Sequence, residues 1–244
     1  MSIPKPSTMA PVPSGPIPPF VVGFILSLAI SVTARALRWL TTDGAAAAVG
    51  MGTLVFGFGG WPQAGLLVFF FATSSALTRW QAARKPHPEH AAGRNAAQVL
   101  ANGAVATVLS VWGAMHQAPW IALAFAGAIA ASTADTWATE IGLLAASPPR
   151  LLTTGQIVAR GQSGAVTWRG TLAGCVGAAG IAELANLWIH TPLLPIWTAG
   201  TAAMLLDSLL GASVEGRQIW MTNDAVNLLA AAAGASLAAV LGTV

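Results

Sequence analysis

Mostly apolar runs of about twenty residues with few charges recur along this chain, and that spacing leaves it few ways to fold. They lie near 19–38, 44–59, 62–80, 95–115, 119–146, 170–190, 196–213 and 223–243. A hydrocarbon core about 30 Å thick takes roughly 20 residues of helix per crossing, and an unpaired backbone group is costly inside it. The runs therefore predict an all-α, polytopic membrane helix bundle of about eight transmembrane helices, with seven and nine as the neighbouring counts. The second run is short and rich in Gly and Ala, which allows it to be tilted, broken or re-entrant. Small residues throughout favour close helix packing. Only 8% of the 244 residues are charged and the mean hydropathy is +0.67, against about 25% charged in an ordinary soluble domain. In so apolar a chain the net charge of +3 sets topology and meets anions at the membrane surface, not nucleic acid. Residues 1–18 read as a disordered Pro-rich leader without the n-region and h-region of a secretory signal. Residues 19–244 read as a single integral membrane domain. Cys175 stands alone and simply packs.

Two patterns support this division. Nine of the ten tryptophans fall at or near the proposed span ends, Trp137 being the exception, as expected of rings that favour the membrane interface. The connections near 60, 117 and 193 carry no Lys or Arg, whereas Arg35, Arg38, Arg79, Arg84, Lys85, Arg94, Arg150, Arg160, Arg169 and Arg217 flank the alternate ones. The positive-inside rule then places those alternate connections in the cytoplasm and both termini outside. The expected location is a prokaryotic inner or plasma membrane.

The orientation gathers most of the acids at the cytoplasmic end. A carboxylate within a span costs a few kcal/mol on the lenient insertion scale, so it faces a bundle interior or wet cavity and has a partner. In ASTADTWATE, Ser132, Asp135, Thr139 and Gly142 share a helical face, while Glu140 points elsewhere on a regular helix. A structural Asp–Arg pair is the alternative role for Asp135. In GRNAAQVLANG, Arg94, Gln98 and Asn102 recur at four-residue intervals beside Asn95, a stripe suited either to interhelical hydrogen bonding or to a site, with Arg94 placed to fork a phosphate. Asp207 and Glu215 share a face of the seventh run with Ser208 alongside. Asn223, Asp224 and Asn227 open the eighth, where Thr222 is a candidate cap. Carboxylates and amide oxygens gathered at one mouth are hard ligands of the kind Mg2+ or Mn2+ accepts with bound phosphates. The loop PPRLLTTGQIVARGQSGAVTWRG adds Arg150, Thr153, Thr154 and Arg160 among glycines, a candidate phosphate-binding loop or a plain topology signal.

Together DGAAAAVGMGTLVFGFGG, SSALTRW with Lys85, GRNAAQVLANG, ADTWATEIG, PRLLTTG with GTLAG, LLDSLLGA and TNDAVNLL resemble the transmembrane-protein-nineteen family, which includes phytyl-phosphate kinases. The resemblance covers about 43 to 230. It implies phosphoryl transfer from a nucleotide, CTP or another nucleoside triphosphate, to a prenyl monophosphate lipid such as phytyl or geranylgeranyl phosphate. A more distant similarity is to membrane cytidylyltransferases. The chain departs from the family's pattern at residues 159–166, ARGQSGAV, and at Thr139 where Ser is usual.

On this reading Asp135, Asp207 and Asp224 hold the metal, Arg94 acts with the two membrane aspartates, and Lys85, Arg150 and Arg160 clamp phosphate. Asn95, Gln98, Asn102, Thr139, Glu140, Thr153, Thr154, Ser208, Asn223 and Asn227 bind substrate or nucleotide. The rival reading is an ion- or proton-coupled transporter, for which Glu183, deep in the sixth run, is the marker. A non-catalytic assembly factor is the third. Oligomeric state is not fixed by these patterns.

Overall fold

The computed structural model describes residues 18–85, 93–216 and 218–243. The leader, apart from Pro18, and Arg217 lie outside the described residues. Among the described residues seven helices are long and apolar enough to cross a membrane: α1 (Pro19–Ala36), α2 (Thr42–Arg79), α3 (Ala96–His116), α4 (Pro119–Leu144), α5 (Trp168–Ile189), α6 (Leu193–Ser213) and α7 (Asn223–Leu241). The protein is thus an integral membrane helix bundle. Its strands, β1 (Arg150–Leu151) and β2 (Ala165–Val166), form one small antiparallel pair inside the α4–α5 connection.

Helix α2 reconciles seven helices with eight apolar runs. Its 38 residues would extend about 57 Å if straight. At Gly60, however, the backbone turns to φ 66° and ψ −166°, and Pro62 follows without an N–H to donate. Arg79 at the far end donates to the carbonyl of Arg38, just before the start. The arms, residues 42–59 and 61–79, therefore run antiparallel, and α2 supplies two crossings. The short second run is a full arm of this hairpin.

The helix ends follow local chemistry. Thr41, Asn95, Thr167 and Thr222 cap α2, α3, α5 and α7, each accepting from the backbone N–H three residues on. Proline in the first turn starts α1 and α4. Helix α4 is the central post, packed by α3, α5, α6, α7 and the α2 hairpin. Every residue from Ile121 to Ala134, Gly127 included, is buried apart from the short step at Ala122. Phe125, Ile129, Ile181 and Ile196 fill the interior around α4.

Contact between α4 and α7 depends on two glycines. A Cβ at Gly127 would stand 2.4 Å from the Gly234 carbonyl oxygen, and one at Gly234 would stand 2.7 Å from the Gly127 oxygen. Backbone meets backbone there, as small residues allow in membranes. Gly127→Val is expected to lower stability by about 1–3 kcal/mol through overpacking, read as earlier thermal unfolding in detergent.

Candidate functional site

Two short segments pin Arg94 at one end of the bundle. The Arg94 N–H donates to the Trp39 carbonyl at 2.9 Å, and the Arg94 carbonyl accepts from the Thr41 N–H at 3.1 Å and the Thr41 hydroxyl at 3.2 Å. Asp43 accepts from the Thr41 hydroxyl and from the Ala96 N–H, at 2.6 and 2.9 Å. Gly44 makes the approach possible, because a Cβ there would lie 2.1 Å from the Arg94 oxygen. The DG and GRN stretches thus form a backbone clasp. From it the guanidinium passes over the Phe70 ring, 5.5 Å from its centroid. Loss of water lowers the Arg94 pKa from its ordinary value, with Glu140 and Asp135 opposing; an arginine remains cationic in proteins nonetheless.

Beside Arg94 opens a polar cavity of about 460 Å3, walled by α3, α4, α6, the start of α7 and the 145–167 connection. Asp135 of α4 and Asp207 of α6 both line it, near enough to interact with each other. The buried Oδ2 of Asp207 has no hydrogen-bond partner. Gln98, Asn102, Thr139, Arg160, Ser208, Asn223 and Asn227 also line the wall. Asn102 donates to the Gln98 carbonyl and its own carbonyl accepts from Ser132, each at 2.9 Å. The polar stripe on α3 therefore faces the acids on α4.

Other expected ligands take structural places. Lys85 lies 2.7 Å from Glu140 with both side chains buried, and donates to the Leu77 and Thr78 carbonyls at the end of α2. Thr78 donates to the second Glu140 oxygen at 2.7 Å. Neither partner is left for phosphate, although Glu140 borders the cavity. Asn95 is spent in a capping box with Gln98. Asp224 occupies the first turn of α7 behind its Thr222 cap, and the cavity wall takes Asn223 and Asn227 without it. Among the described residues no three His, Cys, Asp or Glu side chains converge as a metal cluster. Of the three aspartates, Asp135 and Asp207 line the cavity and Asp224 does not.

The loop divides differently from its sequence. Arg150 donates to the Gly155 carbonyl at 2.8 Å, and Thr154 accepts from Gln156 in the same turn. Arg150, Thr153 and Thr154 all lie off the cavity wall, because the β1–β2 pairing turns this half outward. Arg160 donates to the Leu143, Ala145 and Ala146 carbonyls, tying off the end of α4; its free clamp role is corrected to a cap at the cavity edge. Residues 161–167, most of them in the atypical stretch 159–166, form the wall. Ser163 donates to Glu215 at 2.7 Å, and Gly164 lies against α6. Gly164 stood among the glycines of the candidate loop and Glu215 on the seventh run, whereas Ser163 escaped the sequence reading.

Gly164 has φ +74°, and a Cβ on it would stand 2.3 Å from the Ala212 nitrogen. Gly164→Ala is expected to cost about 1–2 kcal/mol from left-handed backbone alone. Limited proteolysis should cut residues 150–166 faster than in the wild type. Glu183 sits on an exposed face of α5 and lines neither this cavity nor the apolar one behind it.

The bundle and its acidic, arginine-flanked cavity define an integral membrane protein with a polar site at one end. The chain belongs to the family described as integral membrane protein DUF92, whose profile matches residues 25–235, in agreement with the transmembrane-protein-nineteen resemblance. It is 32% identical over 216 residues to "Uncharacterized membrane protein MJ0933" of Methanocaldococcus jannaschii, covering 87% of this chain and 90% of that one. Over 225 residues it is 30% identical to "Uncharacterized membrane protein sll0875" of Synechocystis, covering 88% and 86%. It is 29% identical over 232 residues to "Protein VTE6, chloroplastic" of Arabidopsis thaliana, covering 89% and 68%. No solved structure matches the chain.

Proposed function

We propose that the protein is a membrane-embedded kinase that transfers a phosphoryl group from a nucleoside triphosphate, CTP foremost, to an isoprenyl monophosphate such as phytyl or geranylgeranyl phosphate. One observation carries the reading: Asp135 and Asp207 face each other beside Arg94, and an orphaned, buried carboxylate oxygen belongs to the pair. Acids so placed repel when both are ionised. A site that gathers them in a membrane bundle is built for a cation or a phosphate-bound cation.

The donors fit Mg2+, which takes one or two carboxylates and completes its shell with phosphate oxygens and water. Held by Asp135 and Asp207, it would neutralise charge on the nucleotide phosphates. Arg94 supplies a fixed positive fork for phosphate oxygens. Ser208, Thr139, Asn223 and Asn227 supply neutral hydrogen-bonding groups that orient them. An oxygen of the prenyl phosphate forms the new bond to the γ-phosphorus as the bond to the β-phosphate oxygen breaks and the nucleoside diphosphate leaves. The acceptor oxygen is already anionic near neutral pH, so no base is needed; the residues position reactants and neutralise charge.

By the positive-inside rule this end of the bundle faces the cytoplasm and both termini lie outside. The motif resemblance to a family that includes phytyl-phosphate kinases supports the choice of substrate. A relay across the membrane receives less support, because α4 is wholly apolar from Ile121 to Ala131 and Glu183 is remote from the cavity. The test is transfer of labelled γ-phosphate from CTP, ATP, GTP or UTP to phytyl, geranylgeranyl and farnesyl monophosphates with Mg2+. Diphosphate is the expected product. No product from any pairing, with a folded protein, overturns the reading.

A further inference from the structure

A second cavity lies behind Arg94, on the side away from the acids. It has a volume of about 80 Å3 and runs between α1, both arms of α2 and α3. Its lining is apolar apart from Ser27, Ser31, Arg94 and Asn102, with Met51, Leu67, Phe70 and Gly103 among the walls. Arg94 and Asn102 line both cavities. The polar site and the apolar crevice are therefore neighbours on either side of Arg94, whose guanidinium overlies Phe70.

We infer that this crevice receives the hydrocarbon chain of the lipid substrate, and that it admits one chain, with the anionic head at Arg94. The inference rests on the kinase reading for the identity of the head and on geometry for the path of the tail. Ile30 and Val68, on the lining, are 39% and 40% exposed, so the crevice opens sideways toward the bilayer and a longer chain continues into lipid. A space of about 80 Å3 takes the first part of one chain and not two chains side by side. Charge and apolarity thus agree on a single-chain amphiphilic phosphate.

Two glycines let the crevice lining pack closely. A Cβ at Gly103 would stand 2.0 Å from the Met51 Cε, and one at Gly52 would stand 2.3 Å from the Ser27 hydroxyl. Side chains added there enter the crevice and displace its present lining. The Met51 methyl, at the end of a flexible side chain, is the part able to move when a chain enters.

The experiment compares geranylgeranyl monophosphate, with twenty carbons, and dimethylallyl monophosphate, with five, as acceptors for wild type and Gly103→Leu in lipid nanodiscs. Filling the crevice is expected to lower kcat/KM for the long acceptor at least tenfold more than for the short one. Equal losses, or none, overturn the inference. Ser31→Phe fills the same crevice from α1 and serves if Gly103→Leu fails to fold.

A second measurement does not depend on turnover. A diazirine-bearing geranylgeranyl monophosphate is photo-crosslinked to the wild-type protein without nucleotide, and the labelled peptides are mapped. Labelling of residues 27–31, 51 or 103, competed by geranylgeranyl monophosphate and not by dioleoyl phosphatidic acid, is the expected result. Such labelling without transfer from any nucleotide would sink the kinase reading and keep the crevice. Transfer with labels on α5 or α6 alone would keep the kinase and sink the crevice.

Discussion

Asp135→Asn is expected to reduce phosphoryl transfer by about 10²–10³-fold, the scale seen when one preorganised electrostatic group is removed from an active site. The reason is positional. Asp135 sits on the central post of the bundle and meets Asp207 from α6, so the pair is fixed by packing before any ligand arrives. The amide keeps the shape and removes one charge from two facing acids that repel when both are ionised. Thermal stability in detergent should therefore stay level or rise while activity falls. That divergence separates a site residue from a structural one. Full activity in a folded Asp135→Asn protein would remove the acid pair from the reaction, and Asp207→Asn should follow the same pattern.

Lys85→Met is expected to do the reverse, costing about 3–5 kcal/mol of stability by leaving a buried carboxylate without its cation. Lys85 and Glu140 are 4% and 8% exposed as side chains and 2.7 Å apart. The ammonium also holds the Leu77 and Thr78 carbonyls that α2 leaves unpaired at its end. Adding Glu140→Gln should return most of the loss, since the uncompensated charge is gone, though the two carbonyls remain short of a donor. A double-mutant cycle followed by detergent denaturation measures the coupling. Losses that simply add would show that the pair does not stabilise the fold. Replacement by Arg is not a conservative control here, because a planar fork does not reproduce a compact ammonium under two carbonyls.

These two carboxylates on one helix show where sequence reading stops. Asp135 and Glu140 are five residues apart in α4, and helical geometry alone sends them in different directions. Which direction meets a lysine and which meets another acid depends on the neighbours. Lys85 looked like a phosphate ligand because it sits in a basic connection, and only the packing of α2 against α4 turns it into a buried partner. Asp224 looked like a ligand beside Asn223 and Asn227, until the Thr222 cap fixed the rotation of the first turn. Arg150 and Thr153 read as a binding loop, whereas the β1–β2 pairing turns them outward and brings Gly161 to Thr167 inward. Loops carry no periodicity from which such a turn could be read.

Apolar run length and charge alternation, by contrast, were enough to set the helical class, the span boundaries to within a few residues and the clustering of bases at one end. They report each segment's own exchange between water and lipid, which depends on local composition. The hairpin in α2 was legible as two runs joined near residue 60, and the structure added how the turn is made, at Gly60 and Pro62, and how it closes, with Arg79 on the Arg38 carbonyl. Pairing of Asp135 with Asp207, loss of Lys85 to Glu140 and the placing of Arg94 between the polar cavity and the apolar crevice all belong to the tertiary structure. Each joins residues far apart in sequence, and the rotation of every helix about its own axis, which settles such meetings, follows from packing against its neighbours.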